Sequence, residues 1–169
     1  FSEPVLFLTN CDIVTAFPWS DDFESYAVGE FFNQCWVNEH TATESPSSTY
    51  SNYLFVVSSQ NLDGVTSKVL QLRDQQAGNV TQLTLPRMYF AEGQPLEFSI
   101  DVYRSHTSTI KSNEGLRIYI STSDTVDASA QLLAFIPRQY SVDGINANAV
   151  DTARWCTYHF QLPEVGEGN

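Results

Sequence analysis

The chain has 169 residues, 42% of them hydrophobic, and a formal net charge of −12. Its length predicts one domain with its own core, and its apolar content excludes a disordered chain. Eight basic side chains against 20 acidic ones argue against nucleic acid, whose affinity comes from neutralised phosphates. No apolar run approaches the roughly 20 residues of a membrane helix.

In chain order the elements read as strands. Val5–Thr9 is a short apolar run after Pro4. Pro18 interrupts the segment that follows, so residues 1–10 read as separate from a main domain over 17–169. Cys35–Val37 comes next, and Tyr53–Val57 follows a polar loop at 41–52. Lys68–Leu72, Val80–Leu85, Leu96–Tyr103 and Leu116–Ile120 form the middle of the chain, most of them alternating with period two. Leu132–Ile136 and Trp155–Phe160 complete the set. Alternation puts Leu96, Phe98, Ile100 and Val102 on one face of a strand. Turn residues separate the runs, among them Asp63-Gly64, Asn113-Glu114-Gly115 and Asp143-Gly144. No stretch keeps a helical period. The pattern predicts an all-β chain, an antiparallel β-sandwich or jelly roll, with under about one-fifth helix.

Charge is unevenly placed. Residues 1–67 hold nine acids and no Lys or Arg, and Lys68 is the first cation. Such a segment repels itself unless solvent screens it or a cation relieves it. Two readings stand: a solvated acidic face, or a hard cation such as calcium. The chain begins at Phe1 and shows no signal peptide, so it reads as a processed piece of a longer protein. Abundant Ser, Thr, Asn, Gln and Tyr with only two Lys suit an extracellular or cell-surface β domain.

Three histidines and three cysteines show no zinc spacing, and there is no G-x-S-x-G elbow. Cys156 and His159 would point to opposite faces of one strand. No E-x-D-x-x-E run supplies the carboxylates of a glycosidase, although Asp22 and Glu24 would share a face if their step is extended. No catalytic set emerges. Cys11 and Cys35 could close a loop, or all three thiols could act as small buried apolar groups. Sugar binding needs exposed aromatic planes and polar neighbours. Phe55, Phe98, Tyr119 and Phe135 are assigned to the core by their place on alternating strands. Tyr50 and Tyr53, beside the polar loop, and Arg138 with Tyr140, after Pro137, are the candidate ligand-binding residues. Asn79-Val80-Thr81 matches a glycosylation sequon.

Ser2-Glu3-Pro4-Val5-Leu6-Phe7-Leu8-Thr9 resembles the last strand of a fibronectin type III domain. Phe17-Pro18-Trp19-Ser20-Asp21-Asp22-Phe23-Glu24-Ser25, with Gln34-Cys35-Trp36 after it, resembles the opening of MAM-like, cleaved-adhesin domains of Bacteroidetes-type surface proteins. Pro95–Phe98, Glu114–Thr122 and Ala153–Tyr158 resemble their later strands. The resemblance covers about residues 17–163. It implies a concanavalin- or MAM-like jelly roll and a structural calcium near Asp22 and Glu24, with Phe23 pointing inward between them. It also implies pairing of Cys11 with Cys35, leaving Cys156 free. The final strand of such domains does not appear before Asn169, so the domain is expected to be truncated at its C-terminus. The expected role is a non-catalytic binding or adhesion module of a bacterial extracellular protein, with a glycan or a host-surface protein as partner. The alternatives are a ligand-free spacer and a fragment of a carbohydrate-active enzyme.

Overall fold

The computed structural model describes residues 11–30, 35–42, 54–72, 80–91, 96–104, 115–123, 126–137 and 153–163. Among them every regular element is a strand. The strands are β1 (Gly29–Glu30), β2 (Val37–Ala42), β3 (Phe55–Leu62), β4 (Val65–Leu72), β5 (Val80–Thr84), β6 (Glu97–Arg104), β7 (Gly115–Ile120), β8 (Gln131–Pro137) and β9 (Arg154–Gln161). They pair as β1–β3–β4, β2–β5, β6–β9 and β7–β8. The chain is all-β, and its sheets are small and antiparallel. The described residues fall in two compact units, one within 1–59 and 68–89, the other within 60–67 and 90–169. Residues 1–10, read as the end of an upstream domain, lie outside the described residues.

The β3–β4 hairpin closes through Asp63-Gly64, both at positive φ (54° and 81°). Two central residues of that hand match the right-handed twist of the flanking strands, and Gly meets the requirement without strain. The turn also sets the strand length. β3 continues through Ser58-Ser59-Gln60-Asn61-Leu62, past the apolar run that marks it in the sequence. Across the hairpin, Asn61 Nδ2 donates to Thr66 Oγ1 at 2.9 Å.

In the first unit β3 buries Val56, Val57 and Ser58. Asn38 on β2 donates through Nδ2 to the Phe55 carbonyl at 2.9 Å and accepts the Phe55 N–H on Oδ1 at 3.1 Å. Its side-chain amide thus does for Phe55 what a neighbouring backbone would do. Val14 N–H donates to the Arg87 carbonyl, and Tyr89 N–H donates to the Val14 carbonyl, both at 2.9 Å. Residues ahead of Phe17 are therefore tied into this unit.

Among the described residues of the second unit, two antiparallel pairs share a core. β6 and β9 pair over eight positions, from Glu97 opposite Gln161 to Arg104 opposite Arg154. Phe98, Ile100 and Val102 of β6 face inward with Cys156, Tyr158 and Phe160 of β9. Leu116 and Ile118 of β7 and Ala134 and Ile136 of β8 meet them. Phe160 stacks at 6.3 Å on both Phe98 and Tyr158. Burying a side chain such as Ile136 contributes about 1.5–3 kcal/mol.

The β7–β8 pair corrects the sequence reading at Tyr119 and agrees with it at Phe135. Tyr119, assigned to the core, is 36% exposed. Leu116, Ile118 and Ile120 take the inward parity of β7, so Tyr119 must face out. A bulge next to Tyr119 sets it opposite Leu132, which is also exposed. Phe135 has outward parity and is nevertheless buried, because it is covered from its own face. The Arg117 guanidinium lies 4.8 Å from its ring centroid, and the ring lies against Gly115. A Cβ on Gly115 would collide with this ring and with the Ile136 carbonyl.

Arg104, the last residue of β6, is 1% exposed. Its Nε–H donates to the Pro137 carbonyl at 3.0 Å and its Nη1–H to the Tyr158 hydroxyl at 3.1 Å. A buried guanidinium is tolerable only with such acceptors.

Candidate functional site

The acidic step at 21–24 folds as a turn. Asp21 Oδ1 accepts the Phe23 N–H and Asp22 Oδ1 the Glu24 N–H, each at 3.0 Å. Short acidic side chains favour this local bonding. Phe23 has a φ of 63°, so the step is not extended and does not present Asp22 and Glu24 as neighbours on a strand face. Phe23 is half-buried, 6.0 Å from the Trp36 ring and 6.3 Å from Tyr26. Trp19 lies 6.1 Å from Trp36. The Cys11–Cys35 disulfide adjoins this cluster in sequence at Trp36, its Cα atoms 5.2 Å apart, and Cys156 is free.

A cation reaches the acidic step from elsewhere in the chain. Lys68 Nζ donates to the carbonyls of Glu24 and Tyr26, both at 2.7 Å. Glu24 Oε1 accepts the Lys68 backbone N–H at 2.8 Å. Tyr26 donates its hydroxyl to Asp21 Oδ2 at 2.6 Å. Glu24 thus binds the strand β4 through its carboxylate and the ammonium through its backbone. Among the described residues, no group of three or more His, Cys, Asp or Glu is arranged to hold a metal ion.

A second arrangement lies on the outer face of β6–β9. The inward parity of Phe98, Ile100 and Val102 turns Glu97, Ser99, Asp101 and Tyr103 outward. Register sets them opposite Gln161, His159, Thr157 and Trp155. Thr157 Oγ1 donates to Asp101 Oδ1 at 2.6 Å. Glu97 takes His159 Nδ1 at 2.9 Å and Gln161 Nε2 at 3.2 Å. At the far end Tyr103 and Trp155 meet edge to face, centroids 5.5 Å apart, with Trp155 36% exposed. The result is a row of ordered polar groups ending in an aromatic pair. Hydroxyl-rich ligands need that combination, a ring face to stack on and oriented acceptors beside it. Cys156 faces inward and His159 outward, so the two do not form a catalytic pair.

The four residues expected to bind ligand, Tyr50, Tyr53, Arg138 and Tyr140, lie outside the described residues. Sequence reasoning misses Tyr103 and Trp155, because it assigns aromatics on alternating strands to the core. Parity carried the signal: Trp155 alternates with Thr157 and His159, and Tyr103 with Asp101, Ser99 and Glu97. No helix among the described residues is long and apolar enough to cross a membrane. No family model, curated protein or solved structure matches the chain.

Proposed function

We propose that this chain is a non-catalytic, extracellular binding module of jelly-roll type and that it recognises glycans through the outer face of β6–β9. The carrying observation is the Tyr103–Trp155 pair, half-buried at Tyr103 and exposed at Trp155, at the end of the polar row formed by Asp101, Thr157, Glu97, His159 and Gln161. The Cys11–Cys35 disulfide supports an oxidising compartment. The resemblance to adhesin domains agrees with this reading. A binding role needs no general acid or nucleophile, and the carboxylates on this face are held by their neighbours as fixed acceptors.

The test is titration of the chain with a panel of linear hexasaccharides, followed by calorimetry. Binding is expected, with loss on Trp155→Ala and partial retention on Trp155→Phe. A panel in which no glycan binds would overturn the proposal and favour a spacer role. Unchanged affinity in Trp155→Ala would remove the site from this face.

A further inference from the structure

The charge on this same face points to a narrower ligand class. Its outward side chains are Glu97, Ser99, Asp101 and Tyr103 on β6 and Trp155, Thr157, His159 and Gln161 on β9. Two are carboxylates and none is Lys or Arg. Both carboxylates are fixed by hydrogen bonds, Asp101 by Thr157 and Glu97 by His159 and Gln161, which leaves their remaining lone pairs aimed as acceptors. Arg154 and Arg104 stand opposite each other at the strand ends on the inward parity, so neither guanidinium belongs to the row. The chain's net charge of −12 adds a repulsive background for any anion.

Building on the glycan-binding reading, we infer that the face selects uncharged linear glycans and rejects uronic or sulfated ones. Rejection comes from Asp101 and Glu97, because a ligand carboxylate or sulfate lying along β6 must pass beside both. The row from Tyr103 to Glu97 spans six residue-to-residue steps, about 20 Å at roughly 3.4 Å per step, so the ligand is an extended oligosaccharide lying along the strands. One sugar ring stacks at Trp155, and successive hydroxyls donate to Asp101 and then Glu97. Attraction and exclusion thus come from the same two carboxylates.

The experiment compares cellohexaose, mannohexaose and xylohexaose with hexagalacturonate and a chondroitin sulfate hexasaccharide, by calorimetry at low and high ionic strength. Like charges a few ångströms apart in water differ from a neutral contact by about tenfold in affinity, and salt screens that difference. At least one neutral glycan should bind about tenfold better than either anionic one at low salt, with a smaller ratio at high salt. The Asp101→Asn, Glu97→Gln double variant keeps an acceptor oxygen at each position and should bring the ratio towards one. Equal or stronger binding of the anionic glycans by the wild type would overturn the inference while leaving glycan binding intact. A preference unchanged in the double variant would overturn it too. Binding of none of the five would overturn the glycan reading itself. Circular dichroism of each variant shows that the strands are retained.

Discussion

Arg104 donates Nη1–H to the Tyr158 hydroxyl at 3.1 Å inside the second unit, joining the end of β6 to the middle of β9. A buried guanidinium needs its hydrogen-bond acceptors, so losing one is costly. In Tyr158→Phe one acceptor disappears while Arg104 remains buried, and a loss of about 1–3 kcal/mol is expected in urea unfolding. The pH dependence has a definite sign. Burial pushes the Tyr158 hydroxyl above its ordinary pKa, against the opposing pull of Arg104. The folded chain therefore holds this proton more tightly than the unfolded chain. Its contribution is complete below about pH 10 and declines as pH rises from there through the folded value. The wild type should lose more stability on going alkaline than Tyr158→Phe does, read as the shift in urea midpoint. Parallel midpoints would contradict this.

Lys68→Met should destabilise the first unit by about 1–3 kcal/mol, because the carbonyls of Glu24 and Tyr26 lose their donor. Glu24→Gln should cost less, since an amide oxygen still accepts the Lys68 N–H. The same bonds bear on calcium at Asp22 and Glu24. With the ammonium on two of the available carbonyls, thermal melting is expected to be the same with calcium and with chelator. A calcium-dependent rise in Tm, lost in Asp22→Ala with Glu24→Ala, would establish a metal at this step.

Gly115→Ala should be poorly tolerated. The added methyl meets the Phe135 ring and the Ile136 carbonyl, and neither can move without disturbing the Arg117 contact or the β7–β8 ladder. Overpacking of this kind costs about 1–3 kcal/mol. Phe135→Leu combined with Gly115→Ala should recover part of the loss, because the smaller side chain vacates the space above the glycine. Equal melting temperatures for Gly115→Ala and wild type would refute the close approach.

Removing the disulfide by Cys11→Ser with Cys35→Ser should lower stability by about 3 kcal/mol on loop-closure grounds, for a sequence separation of 24. The change should appear in chemical denaturation of the oxidised protein and vanish when wild type and variant are compared under reducing conditions. Peptide mapping of the oxidised wild type should recover Cys156 unpaired.

Most of the strand positions were legible in the sequence, because a strand half-buried on a sheet alternates apolar and polar side chains at every step. Leu96–Tyr103 and Trp155–Phe160 identify β6 and β9 almost to the residue. The Asp63-Gly64 turn was equally plain, since few residues accept its backbone. β2 was harder: Val37–Ala42 carries Asn, Glu, His and Thr, and only its pairing with β5 and the Asn38 bonds to Phe55 make it a strand. The same holds for the outer half of β3, which the hairpin turn extends through polar residues.

What the sequence alone determined is local: the period of two, the turn chemistry and the acidic excess before Lys68. Each depends on neighbours a few residues apart, whose preferences are set by backbone sterics and solvent. What only the tertiary structure decided is which distant residues meet. Lys68 reaches a turn 44 residues earlier in the chain, Asp101 meets Thr157 across 56, and Tyr103 finds Trp155 in the β6–β9 register. Composition and period are silent about such pairs, because strand register follows from which whole faces are buried together, and that is a property of the packed sheets.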